Sequence, residues 1–191
     1  MTIVFATHNA NKLKEVQDIL SNSIKLLSLD DIGCHEDIPE TADTVEGNAL
    51  IKAKHVLEKY NYPCFADDTG LFVEALNGEP GVHSARYAGY SKDPNANNEK
   101  LLKNLTSVEN RNAFFKTVIV YKTETATEEF TGICRGKILK SPRGQIGFGY
   151  DPIFLPEGYN QSFSEMSHKT KNKISHRARA MEKFVSYFLE K

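Results

Sequence analysis

The chain has no tryptophan, only three cysteines in 191 residues, and almost no net charge. Cys34, Cys64 and Cys134 are odd in number and widely spaced, which suits neither a disulfide framework nor a zinc-ligand pattern. They are expected to be reduced, packing cysteines. Twenty-four basic side chains against twenty-five acidic ones leave no overall field to draw the protein to nucleic acid or an anionic membrane. Any anion site must therefore be local. The opening MTIVFATHNANK passes from a short apolar run directly to polar residues, too short for a signal core or a membrane span, so a cytoplasmic location and no membrane partner are expected. No G-x-x-x-x-G-K-[ST] motif occurs, and the Gly132 to Lys137 stretch has the wrong spacing and lacks the hydroxyl, which argues against a kinase or GTPase phosphate loop. Low-complexity tracts, internal repeats and obvious linkers are also missing.

What is present has the composition of a globular chain, 40% hydrophobic, long enough for one domain or two small lobes sharing a sheet. Residues 2–7 predict a buried strand, and Leu13, Val16, Ile19 and Leu20 then recur at helical spacing. Residues 46–60 predict an amphipathic helix with Ala49, Ala53, Val56 and Tyr60 on one face and Asn48, Lys52 and His55 on the other. Asp43 with Glu46 is expected to cap it. Strands are predicted on both sides of the pair Asp67-Asp68, at 65–66 and 71–76, and a helix at 94–105. Residues 113–123 and 127–139 suggest antiparallel partners, and Ile174, Ala178, Met181, Val185 and Phe188 a terminal helix. The fold class is α/β with a mixed β-sheet flanked by helices.

Four polar constellations interrupt these elements. The first, 7-THNANK-12, lies where a strand gives way to a helix, so backbone N–H groups and a lysine can face phosphate together. The alternative is an Asn-capped turn with a solvated lysine. The second joins Glu40, Lys52 and Asp67-Asp68. Adjacent carboxylates repel and are kept in open solvent or on a cation, and so sparse an oxygen set suits Mg²⁺ better than zinc. A simple Asx turn is the competing account. The third, 144-GQIGFGYDPIF-154, has three glycines that let backbone approach a ligand, with Phe148 and Tyr150 either as faces for a purine or as core rings. The fourth, 168-HKTKNKISHRARA-180, concentrates Lys169, Lys171, Lys173, Arg177 and Arg179, as a solvated face or as a phosphate or base contact.

Together these motifs resemble the inosine triphosphate pyrophosphatase family, the Ham1-like or RdgB-like non-standard purine NTP pyrophosphatases. The resemblance spans the chain through 7-THNANK-12, 39-PETADTVEGNALIKA-53, 66-ADDTGL-71, 80-PGVHSARYAG-89, 147-GFGYDPIF-154 and 171-KNKISHRARA-180. One departure is visible in 44-TVEGNA-49, where Gly47 stands at the position of a frequent family glutamate. The resemblance implies a single domain over 1–191 with a Maf/Ham1-like fold, an elongated mixed sheet in two lobes with the substrate groove between them, and a homodimer. It implies Mg²⁺-dependent hydrolysis of ITP, dITP and XTP to nucleoside monophosphate and pyrophosphate, keeping deaminated purines out of DNA and RNA.

Residue by residue, the resemblance implies that Thr7, His8, Asn9, Ala10, Asn11 and Lys12 line the triphosphate, with Lys52 assisting. Glu40 and Asp68 would hold Mg²⁺, Asp68 would also accept the proton from water, Thr69 would lie next to substrate, and Asp67 would support the acidic centre. Phe148, Gly149, Tyr150 and Asp151 match the base-side loop, and Lys171, His176 and Arg177 the residues that read the purine. Two rivals remain. A Maf-like nucleotide pyrophosphatase would open on an S-x-S-x-R-R loop, unlike THNANK. A non-enzymatic RNA-binding protein would account for the basic run but gives Glu40 and Asp68 no role.

Overall fold

The computed structural model describes residues 2–20 and 25–189. Its strands are β1 (Thr2–Phe5), β2 (Lys25–Leu27), β3 (Cys64–Val73), β4 (Pro80–Gly81), β5 (Asn112–Lys122), β6 (Thr127–Ile138) and β7 (Phe154–Pro156). The helices are α1 (Ala10–Ile19), α2 (Val45–Tyr60), α3 (Pro94–Asn104), α4 (His168–Ile174) and α5 (His176–Leu189). Strand order is β2-β1-β3-β5-β6-β7, with β4 on β3. The sheet is mixed: β2 and β3 run parallel to β1, whereas β4 is antiparallel to β3 and β7 to β6. Among the described residues no helix is long and apolar enough to cross a membrane. The chain divides into two compact units, Met1–Asp68 with Thr117–Gly132 and Arg177–Lys191, and Thr69–Lys116 with Ile133–His176.

In the first unit the two-residue period of the strands sorts side chains by face. Ile3 and Phe5 of β1 and Phe65 of β3 join Val16 of α1 and Ala180, Met181 and Phe184 of α5 in one core. Phe65 stacks on Phe5 at 4.5 Å and meets Phe184 at 4.7 Å. The alternate residue Cys64 turns to α2, where its thiol donates to the Ala53 carbonyl at 3.2 Å. The same alternation sends Asp67 toward α1 and α5 and Asp68 toward α2. The neighbouring carboxylates therefore face different side-chain partners.

The second unit packs Leu71 and Val73 of β3 with Leu101 of α3, Phe115 of β5, Phe154 of β7 and Phe163. Within it Gly70 lies against β4, where an added Cβ would come within 2.7 Å of the Gly81 carbonyl oxygen and 2.8 Å of the Phe72 ring. Backbone cannot yield as a flexible side chain can, so Gly70→Ala is expected to destabilise the fold by about 1–3 kcal/mol. Chemical denaturation checks this; an unchanged midpoint would mean that β4 moves aside.

Three local expectations are corrected. The Asp pair lies inside one continuous strand, and the chain ends that strand at Val73 with a 3₁₀ turn over Glu74–Leu76, reversed by Asn77 at φ 52 and Gly78 at φ 89. Thr44, not Asp43, caps α2 by accepting from Gly47 N at 3.1 Å. Gly47 has its own reason, since a Cβ there would lie 2.5 Å from Ala42 Cβ. The terminal basic segment forms two helices, because Ser175 leaves α4 in an extended conformation (ψ 157) before α5 starts.

Candidate active site

The turn after β1 is built by side-chain capping. Asn9 Oδ1 accepts from Asn11 N at 3.0 Å and Lys12 N at 3.2 Å, and Thr7 Oγ1 accepts from Asn9 N at 3.1 Å. The expected Asn cap is thus present, but the lysine is not solvated. Lys12 reaches Asp67 Oδ1 at 2.8 Å.

Asp67 lies at the centre of a buried charge cluster. Besides Lys12, it accepts from Arg177 Nε at 3.2 Å, and Arg177 pairs in turn with Glu15 of α1 through Nη1. Side-chain exposure is 1% for Asp67, 3% for Arg177 and 8% for Glu15, so these charges must neutralise one another. Burial opposes ionisation of Asp67, but the Lys12, Arg177 and Lys52 cations together outweigh it and hold the carboxyl well below the usual range. Burial likewise opposes the Arg177 charge, and Asp67 and Glu15 reverse the balance to keep it firmly protonated.

Asp68 has a different neighbourhood. Asn48 Nδ2 donates to its Oδ2 at 3.3 Å, while Asn48 Oδ1 accepts from Ala42 N at 2.9 Å, which sets the amide orientation and ties the residue following 39-PET-41 to α2. Lys52 Nζ donates to Glu40 Oε1 at 2.9 Å and to the Asp67 carbonyl at 2.6 Å, and lies 3.7 Å from Asp68 Oδ1. Burial, with Glu40 and Asp67 adding to it against the pull of Lys52 and Lys12, raises the Asp68 carboxyl above its ordinary value. Two adjacent aspartates are thereby pushed in opposite directions, the arrangement that separates a permanently charged anchor from a group able to exchange a proton.

The second unit builds the glycine-rich loop separately. Lys171 Nζ pairs with Asp151 Oδ2 at 2.8 Å, both side chains being buried, and Phe148 N donates to the same oxygen at 2.9 Å. Gly147 has φ 96, and a Cβ there would lie 2.2 Å from Asp151 Oδ2, so glycine is required for this closure. Phe148 is half-buried with the Lys171 ammonium 4.8 Å from its ring centre. Tyr150 is a core ring, 5% exposed, whose hydroxyl donates to the Ser84 carbonyl at 2.9 Å. Gly149 accepts from Asn98 Nδ2 at 3.1 Å through its carbonyl. His176 is buried and stacked on Phe115 at 4.5 Å. Thr69, the first residue of this unit, is partly exposed.

The structure thus brings Lys12, Glu40, Lys52, Asp67, Asp68 and Arg177 into one charged cluster, and Phe148, Asp151 and Lys171 into another. Thr7 and Asn9 shape the first turn, Ala10 and Asn11 begin α1, and His8 Nε2 lies 3.2 Å from the Glu36 carbonyl oxygen. The basic run divides: Lys169, Lys173 and Arg179 are exposed, whereas Lys171 and Arg177 are buried. Sequence reasoning missed Glu15 as an ion-pair partner and Asn48 as the amide that orients Asp68. Their signal was available, since Glu15 is three residues after Lys12 and Asn48 four before Lys52, spacings that share a helix face.

The chain is 56% identical over 188 residues to a dITP/XTP pyrophosphatase of Flavobacterium psychrophilum, covering 98% of this chain and 99% of that one. It is 44% identical over 193 residues to the dITP/XTP pyrophosphatase of Bacillus subtilis, covering 98% and 96%. The solved HAM1 protein from Coxiella burnetii superposes with a TM-score of 0.93 at 37% identity over the whole of both chains. The Ham1 family model matches residues 3–187, and on that match and these identities the chain belongs to the Ham1 family.

Proposed function

We propose that this protein hydrolyses the non-standard purine nucleoside triphosphates ITP, dITP and XTP to nucleoside monophosphate and pyrophosphate. The observation that carries the reading is the divergence of Asp67 and Asp68: one carboxylate locked between Lys12 and Arg177, its neighbour raised and set beside Lys52 and Glu40. In this reading Asp68 accepts the proton of a water that attacks the α-phosphorus. The α–β anhydride bond breaks and pyrophosphate leaves. Lys12 and Lys52 present ammonium groups to the triphosphate, with the 7–12 turn against its oxygens. Thr69 adjoins the reacting phosphate, and Phe148, Gly149, Asp151, Lys171 and His176 take the base side, with Tyr150 supporting their loop from the core.

The residues present suit Mg²⁺. Glu40 and Asp68 are hard oxygen donors already gathered around one cationic nitrogen, that of Lys52, so a cation is tolerated where they meet. Bound there, Mg²⁺ supplies neutralisation of charge developing on the phosphates. The same proposal includes a homodimer, a cytoplasmic location and no nucleic-acid partner, the last supported by a formal charge of −1.

The decisive experiment is a panel of ITP, dITP, XTP, GTP and ATP assayed with and without Mg²⁺ for pyrophosphate release. ITP, dITP and XTP should be cleaved far faster than ATP and GTP, only with the metal, and without inorganic phosphate as first product. Equal rates across the panel, or release of orthophosphate, would overturn the reading.

A further inference from the structure

Away from the aspartates, the first unit gathers three metal-ligating side chains of different chemistry. A 3₁₀ turn over Asp30–Ile32 ends at Gly33 (φ 74), and Cys34 N then donates back to the Leu29 carbonyl at 2.9 Å. This reversal turns the Cys34 side chain inward, at 0% exposure, and brings Glu36 alongside α2. There the Cys34 thiol, a Glu36 carboxylate oxygen and a His55 ring nitrogen all lie within 4.8 Å of one another. His55 Nε2 is 2.8 Å from Glu36 Oε1, and the Tyr60 hydroxyl donates to both Glu36 oxygens at 3.0 and 2.9 Å.

We infer that Cys34, Glu36 and His55 form a binding site for a borderline-soft divalent cation, with Zn²⁺ the ion whose chemistry fits, separate from the Glu40 and Asp68 oxygens. Three arguments support it. A thiolate, an imidazole and a carboxylate are the three donor types that Zn²⁺ takes, whereas Mg²⁺ wants oxygen alone, so the two ions sort to different places by softness. Bond lengths of about 2.3 Å to sulfur and about 2.0–2.2 Å to nitrogen and oxygen span a set of this size after side-chain adjustments of about 1 Å. The site also has a way in: the thiol forms the floor, while the Glu36 and His55 side chains are 35% and 27% exposed.

The contact that competes is Lys59, whose ammonium lies 2.6 Å from Glu36 Oε1. Its side chain is 55% exposed, and such a pair is weakly held, so the long stem swings into water when a cation arrives. Tyr60 stays, and its hydroxyl orients the Glu36 carboxylate as hydrogen-bonded neighbours of metal ligands do. Coordination replaces the Cys34 proton, which leaves to solvent, and a water completes the fourth position. The occupied site would pin the 34–36 segment to α2, one turn beyond Lys52.

Titration of the full chain with Zn²⁺ alone, against a chromophoric chelator, tests this, with Co²⁺ alone as the spectroscopic probe. One Zn²⁺ per chain is expected, with a rise in melting temperature. Cys34→Ser and His55→Gln should each weaken binding by at least about 100-fold, since loss of a ligand exceeds loss of a group behind one. The thiolate-to-Co²⁺ charge-transfer band should vanish in Cys34→Ser, while Glu40→Gln keeps the Zn²⁺ stoichiometry. Should Cys34→Ser fail to fold, the half-exposed His55→Gln decides. No binding by the wild type, unchanged affinity in His55→Gln, or loss in Glu40→Gln with retention in Cys34→Ser would each overturn the inference, whatever the outcome of the nucleotide panel.

Discussion

Asp68→Asn is expected to lower kcat for ITP by at least about 10²–10⁴-fold, the usual contribution of a positioned general base. Asparagine keeps the shape, and its single amide oxygen can still accept from Asn48 while its NH2 takes the place of the oxygen near Lys52, so the fold should be retained. It cannot accept a proton from water, and it brings one formal charge fewer to the oxygens grouped around Lys52. The pH profile supplies an independent reading. Burial, reinforced by Glu40 and Asp67, raises the Asp68 carboxyl. A base works only when ionised, so wild-type kcat should fall on acidification as a carboxylate is protonated. That acidic limb should be missing from the variant's residual rate. A variant that keeps half the wild-type kcat would remove Asp68 from the proton transfer.

How much of this was legible in the sequence varied with the physics involved. Strand and helix placement followed from periodicity: the apolar alternation of β1 and the spacing of Ala49, Ala53 and Val56 in α2 are local properties of the chain. The stop at Val73 was not, because Leu71 to Leu76 reads as one strand despite Glu74, and only Asn77 and Gly78, in left-handed conformations, reveal the reversal. The charged positions Lys12, Glu40, Lys52, Asp67 and Asp68 were found as motifs, but their pairing was not. Strand alternation places Asp67 and Asp68 on opposite faces once β3 is known to be continuous; without that, mutual repulsion left open solvent or a cation as the accounts of the pair. Arg177 shows the same limit. A basic run gives no hint of which members turn inward, and here Arg177 does so because Glu15, one α1 turn beyond Lys12, meets it. Cys34, Glu36 and His55 had no recognisable spacing, since a turn and a helix bring them together rather than a motif.

Arg177→Met is expected to destabilise the protein by about 3–5 kcal/mol, because it leaves Glu15 and Asp67 buried with less compensating charge. For a chain of this length that corresponds to a fall in melting temperature of roughly 6–20 °C. Adding Glu15→Gln to Arg177→Met should recover part of the loss, since one of the stranded charges is then removed, and the two substitutions should be clearly non-additive. Asp67 is left with Lys12 and without the Arg177 guanidinium in both variants, so recovery should be incomplete. Acid sensitivity gives the sign of the linked term. Although burial works against it, the surrounding cations depress the Asp67 pKa on folding. Its contribution to stability is therefore present above the unfolded value of about 4 and is lost as pH falls through that value toward the lower folded one. Without the Arg177 guanidinium the depression is smaller, so the variant's stability should depend less steeply on pH in that range. A melting temperature within about 2 °C of wild type, less than 1 kcal/mol for a chain of this size, would mean that water reaches Glu15 and Asp67 and that Arg177 does not hold the anchor in place.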